Sequence, residues 1–170
     1  MNFKIFLCYC LIIVHCSNAF SKDSKPTVGE LSPLFNGITL QEGSSIRLKD
    51  YRGKLVLVDF WASWCPPCLV SLPAYERMYT SLGNADFELI AINVDEHTED
   101  ALRFLDEHPV SYPVIADPLG LIGKPYVIRS LPRSFLLDRD GRIISMHKSF
   151  KLGDELALEN EITKHINKSD

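Results

Sequence analysis

Two stretches of the 170-residue chain are apolar almost without interruption, Leu55 to Phe60 and Phe87 to Val94. Continuous apolarity over a strand's length, rather than strict alternation, predicts strands buried on both faces of a sheet. Between them, Leu69, Leu72, Tyr75, Met78, Tyr79 and Leu82 recur at three- and four-residue intervals, the spacing of one helix face. Gly83 predicts the stop of that helix. Pro73 falls inside it, removes a backbone donor and predicts a kink about one turn after Cys68.

Thr98 predicts the N-cap of a second helix, with Glu99 and Asp100 in its first turn and Ala101, Leu102, Phe104 and Leu105 on its apolar face. His108-Pro109 closes it. A short strand is expected at Tyr112 to Ala116, a turn at Asp117-Pro118-Leu119-Gly120 and a short helical piece at Leu121 to Tyr126. Ser134 to Leu137 and Ile143 to Met146 flank Asp138-Arg139-Asp140-Gly141, a hairpin signal. Asp154 to Ile166 reads as a closing amphipathic helix. Upstream, Gly29 to Asp50 has no helical period, and turn residues at Asn36-Gly37 and Glu42-Gly43 predict an N-terminal hairpin. The sequence of elements predicts an α/β domain, a central mixed sheet flanked by helices.

The N-terminus changes the picture of the cysteines. Lys4, the apolar run Ile5 to Val14, and small residues Ser17 and Ala19 predict a secretory signal peptide over residues 1–19. The alternative is an uncleaved membrane anchor. Residues 20–28 read as a flexible leader and 29–170 as the domain. Cys8, Cys10 and Cys16 lie in the signal, which leaves Cys65 and Cys68 as the mature thiols. One close pair is not the framework of a small stapled fold, so a reactive role is expected. Net charge is −4, with 18 basic against 22 acidic residues, and becomes −5 once Lys4 leaves. Mild acidity with no basic stripe argues against a nucleic-acid partner.

The pair lies in Trp61-Ala62-Ser63-Trp64-Cys65-Pro66-Pro67-Cys68, where a strand meets a helix. Cysteines three apart at a helix end need only small adjustments to close a disulfide. Cys65, at the helix N-terminus, is placed to have a lowered thiol pKa and to attack. Cys68, one turn deeper, is placed to resolve the mixed disulfide. Neither Pro66 nor Pro67 has an N–H to offer the sulfur, so the reduced form gains less stabilisation. That predicts a reducing pair, nearer the roughly −270 mV of thioredoxin than the −120 mV of a strong oxidant.

Val58-Asp59-Phe60-Trp61-Ala62-Ser63-Trp64-Cys65-Pro66-Pro67-Cys68, with Pro73 beyond it, resembles the active-site segment of the thioredoxin superfamily. Tyr51-Arg52-Gly53-Lys54 before it and Leu131-Pro132-Arg133-Ser134-Phe135-Leu136-Leu137-Asp138 after it make the chain similar to extracytoplasmic TlpA/ResA-type thiol–disulfide oxidoreductases. The resemblance implies a thioredoxin-like fold with an N-terminal β-extension and a helical insert around Thr98 to His108. It places Pro132 where the family has a cis-proline beside the catalytic pair. Leu131, Pro132 and Arg133 then form a substrate-docking loop; from the residues alone, without the resemblance, Pro132 reads as an edge-strand or turn proline. Trp64 is expected on an exposed docking surface with Pro66 and Pro67, and Trp61 in the core.

Asp59 sits within an apolar strand, where burial raises a carboxyl pKa. It matches the family's buried acid and is a candidate to exchange a proton with Cys68; the other reading is a satisfied structural acid. Several residues depart from the family pattern. Ser71 stands where many ResA-type proteins have a glutamate, Ala91 where thioredoxin has a lysine near the acid, and Arg133 where threonine commonly follows the cis-proline.

The implied activity is reduction of protein disulfides outside the cytoplasm, with no cofactor beyond the redox-active disulfide Cys65–Cys68. Implied partners are disulfide-containing proteins such as apocytochrome c, and a membrane thiol donor, since a reducing pair cannot stay reduced unaided in an oxidising compartment. The location is the periplasm, or its membrane face if the N-terminal segment stays uncleaved. Two other functions are weighed. A thiol peroxidase of related fold would place its cysteine in a Pro-x-x-x-Thr/Ser-x-x-Cys setting, which neither Cys65 nor Cys68 has. A copper or other metal-binding module would hold its ion on the pair, but one C-x-x-C supplies two of the four ligands of a closed zinc site.

Overall fold

The apolar runs at Leu55 and Phe87 become two central strands of a five-stranded mixed sheet. A computed structural model describes residues 25–83 and 85–168. The signal peptide expected at 1–19, with Cys8, Cys10 and Cys16, and the first part of the leader expected at 20–28 lie outside the described residues. The strands are β1 Asn36–Ile38, β2 Ser45–Arg47, β3 Leu55–Trp61, β4 Phe87–Asn93, β5 Val114–Ala116, β6 Arg133–Leu137 and β7 Ile143–Lys148. The helices are α1 Pro66–Leu82, α2 Thr98–Glu107, α3 Gly123–Tyr126 and α4 Asp154–Ile166, with a 3₁₀ turn at Leu48–Tyr51. The main sheet has order β5-β4-β3-β6-β7, and β1 and β2 form a separate hairpin.

β3 pairs parallel with β4 and antiparallel with β6. Every residue of β3 and β4 is buried, as continuous apolarity predicts. Side chains alternate between the two faces of a strand. Leu55, Leu57 and Trp61 face a core built with Leu72, Tyr75 and Met78 of α1, Ala101 and Leu105 of α2, and Leu158 and Ile162 of α4. Val56, Val58 and Phe60 face a second core with Phe35, Leu48, Tyr126 and Phe135. Burying each large apolar side chain stabilises the fold by about 1.5–3 kcal/mol. α1 continues through Pro73 to its Gly83 cap, where φ is 71° and the N–H returns to the Tyr79 carbonyl. Helix α2 is the expected insert between β4 and β5.

Two local expectations are corrected. Asn36-Gly37 is not a turn but lies within β1, paired with Arg47 and Ile46. A Cβ on Gly37 would run into the Ile115 side chain, so this glycine allows the hairpin to approach β5 closely, where Thr39 bridges Ile115. The hairpin turn falls at the other expected position, Glu42-Gly43, where Gly43 has φ 66°. Thr98 is the first helical residue of α2; His97 occupies the cap and makes no side-chain cap bond.

Candidate active site

Antiparallel pairing of Phe60 with Arg133 brings the start of β6 to the end of β3 from which the Cys65 loop departs. The active-site segment and the Leu131–Pro132 loop therefore share one edge of the sheet. The Leu131–Pro132 peptide is cis. The Pro132 carbonyl already accepts the Ser149 N–H at 3.1 Å, which ties this loop to the end of β7.

Cys65 and Cys68 form a disulfide with Cα atoms 5.2 Å apart. Cys65 is the N-cap of α1 and retains 4% exposure, whereas Cys68 is fully buried. Helix N-termini ordinarily leave unpaired N–H groups for an anion. Here Pro66 and Pro67, the first two helical residues, have none. The Cys68 and Leu69 N–H groups both return to the Cys65 carbonyl, at 2.9 and 3.2 Å, and the Cys65 N–H goes to the Ala62 carbonyl at 3.2 Å. A Cys65 thiolate in this geometry is favoured by the helix dipole and by little else.

The loop before Cys65 is held by a residue that sequence reasoning did not single out. Asp95 is buried, and both its oxygens accept the Ser63 N–H at 3.1 Å. Asn93 Nδ2 donates to Oδ2 at 2.8 Å, and the Asp95 N–H returns to Asn93 Oδ1. The usable signal was position: two polar residues directly after a buried strand. Trp64 projects outward at 67% exposure, and Pro66 is exposed with Pro67 half-buried, as a docking surface requires. Trp61 is fully buried and packs on Phe104, with ring centroids 5.4 Å apart.

Asp59 lies on the same face of β3 as Leu57 and Trp61, the face shared with Cys65 and Cys68. It is fully buried, and neither carboxylate oxygen has a hydrogen-bond partner. The reading of a satisfied structural acid therefore does not hold. Desolvation pushes its pKa well above the usual carboxylate range. Tyr75 lies seven residues after Cys68 on the same buried face of α1, and its pKa is raised by burial and then by the Asp59 charge, with Ser134 acting in the opposite direction. Tyr112 responds to burial and Asp59 in the same order, and its hydroxyl donates to the Leu72 carbonyl at 3.1 Å. Neither tyrosine was legible as a neighbour of the acid, because both look like ordinary core aromatics. The Ser71 hydroxyl is buried against the Cys68 carbonyl at 3.2 Å and brings no acid to the site.

Arg133 is half-buried. Its guanidinium lies 5.1 Å from the Phe135 ring centre, Nη2 touches the Met146 sulfur at 3.5 Å, and Nη1 is buried without a partner. Among the described residues, no group of three or more His, Cys, Asp and Glu is placed to hold a metal ion.

The AhpC/TSA family model matches residues 28–146. The thiol-disulfide oxidoreductase ResA of Bacillus cereus is 36% identical over 137 residues, covering 81% of this chain and 79% of that protein. The protein of the same name from Halalkalibacterium halodurans is 34% identical over 131 residues, covering 77% and 74%. Among solved structures, a Chlorobium tepidum protein assigned as the thiol:disulfide interchange protein DsbE superposes with a TM-score of 0.79 at 34% identity, covering 84% of this chain and all of that one.

Proposed function

We propose, from the premise that this chain belongs to the AhpC/TSA family within the thioredoxin superfamily and is a thiol–disulfide oxidoreductase, that it works as a reductase of protein disulfides outside the cytoplasm. The observation that carries the direction is the helix N-terminus around Cys65. Two N–H groups are absent there, and the next two are engaged by the Cys65 carbonyl itself. A thiolate with few donors is a good electron source, since destabilising the reduced form lowers the potential.

In the proposed cycle, the Cys65 thiolate attacks one sulfur of a substrate disulfide, and the other substrate sulfur leaves as a thiolate and takes a proton. Cys68 gives its proton to Asp59 and attacks the Cys65 sulfur. The second substrate thiolate leaves, two electrons have passed to the substrate, and the enzyme holds the Cys65–Cys68 disulfide. Burial raises the Asp59 pKa toward that of a thiol, which makes the proton exchange closer to balanced. The disulfide is the whole redox equipment in this reading. A membrane thiol donor restores the dithiol, and substrates of the apocytochrome c class fit a periplasmic or membrane-anchored reductase.

Equilibration with glutathione buffers tests the direction. A potential nearer roughly −270 mV than −120 mV supports a reductase, and one at the oxidising end overturns it.

A further inference from the structure

A small cavity of about 120 Å³ opens beside the docking loop, lined by Lys25, Arg129, Arg133 and Lys148 and by no acidic residue. Ser130 and Arg133, which bracket the Leu131–Pro132 peptide, are both in its wall. The whole chain is acidic, with net charge −4, so four cations around one cavity run against its composition. Arg133 and Lys148 stand directly opposite each other across β6 and β7. Like charges in that position destabilise a strand pair unless an anion lies between them. No carboxylate among the described residues pairs with any of the four.

The central cation is held ready. The guanidinium carbon lies 5.1 Å from the centre of the Phe135 ring, and the buried Nη1 is left without a hydrogen-bond partner. Burial also lowers the Arg133 pKa, as expected for a cation without a counterion. Val127 forms part of the rim in a left-handed conformation, φ 54°, which a β-branched residue adopts only under constraint. A cavity of this size suits a single carboxyl side chain.

We infer that this cavity is a subsite for an acidic side chain of the protein substrate, which selects disulfides flanked by Asp or Glu. The inference rests on the disulfide-exchange reading above. The other three cations, Lys25, Arg129 and Lys148, are exposed and steer the acidic segment, while Arg133 receives the carboxylate in its planar fork.

Two disulfide-bridged peptides, identical except for Glu or Gln beside each cysteine, test it with the full chain. The Glu peptide should have about fivefold to tenfold higher kcat/KM. The ratio should shrink toward one in about 0.5 M salt. It should fall to one or below in Lys148→Glu, a surface substitution expected to fold. Measurable reduction of both peptides at equal kcat/KM, or a ratio unchanged in Lys148→Glu, would overturn the subsite. The same peptides with serine for cysteine, measured by calorimetry, separate this from the redox reading. Tighter binding of the Glu form supports the subsite even where neither cysteine peptide is reduced, a result that would overturn the reductase alone, and equal binding overturns the subsite.

Discussion

Asp59 lies directly beside Ala91 across the parallel β3–β4 pair. Both face the core that holds the cysteines, and Ala91 supplies only a methyl group to a carboxyl without hydrogen-bond partners. Nothing offsets the desolvation of this acid, so its pKa rises for one reason alone.

That isolation makes Asp59→Asn stabilising. Below the unfolded carboxyl pKa of about 3.9 the group is neutral in both states and carries no ionisation penalty. Above it the unfolded chain ionises while the fold keeps the proton, so stability falls by about 1.4 kcal/mol per pH unit until Asp59 ionises in place. An amide in its place does not ionise and removes this loss. Thermal melts at pH 4 and pH 7 should show a gain that grows with pH, roughly 2–4 °C per kcal/mol. Turnover should drop by about 10²-fold at pH values where Asp59 is ionised, as the resolving step loses its proton acceptor. An unchanged rate would leave Asp59 with no part in the chemistry.

Restoring a donor at the helix N-terminus should make the pair more oxidising. Pro66→Gly returns one N–H to the Cys65 environment. One charge-assisted hydrogen bond, about 1.5–3 kcal/mol, corresponds to a rise of about 30–60 mV in potential. The Cys65 thiol pKa should fall in the same variant, read by its thiolate absorbance. A potential that does not move would mean that backbone donors do not set the redox poise.

In the proposed cycle the slightly exposed Cys65 attacks and the fully buried Cys68 resolves. Cys68→Ala should accumulate mixed disulfides through Cys65, visible on non-reducing gels and lost on adding thiol. Cys65→Ala should trap little, since Cys68 is fully buried. Equal trapping by both variants would reverse the assignment of attacking and resolving sulfur.

Asp95→Ala should lower stability by about 2–3 kcal/mol, because the Ser63 N–H and the Asn93 amide both lose a buried acceptor. Activity should fall with it as the Trp64–Cys65 loop loosens. Denaturant melts and insulin reduction at one temperature check the two effects separately.

Gly37→Ala should cost about 1–3 kcal/mol through contact with Ile115, and Ile115→Ala in the same chain should recover part of that. This site also shows where the sequence was misleading. Asn-Gly is a strong turn signal on its own, yet at residues 36 and 37 the glycine serves an approach between β1 and β5 that is visible only in three dimensions. The Thr98 cap failed for a related reason: the helix begins at its best local capping group, not one residue after it.

The long elements were legible because burial leaves a period in the sequence. β3, β4, α1 and α4, and the hairpin around Gly141, fall where apolar spacing and turn chemistry put them. Cys65 and Cys68 were legible from spacing, and Pro132 from its resemblance. Tyr75 and Ser134 join Asp59 only through strand pairing and helix packing, and Lys148 meets Arg133 only through the β6–β7 register. Residues brought together from distant parts of the chain leave no local mark.

Because Cys68 has no surface of its own, every electron entering or leaving the protein must pass through the Cys65 sulfur. On the proposed reading, the donor that recharges the protein and the substrate that discharges it then compete for a single doorway and must take turns. In that reading the donor's attacking thiolate has to reach the Cys65 sulfur past the same rim of Trp64 and the Leu131–Pro132 loop, and Cys68 leaves as the released thiolate. Traffic in both directions is then governed by one landing surface, and a change that tightens substrate binding there also slows recharging.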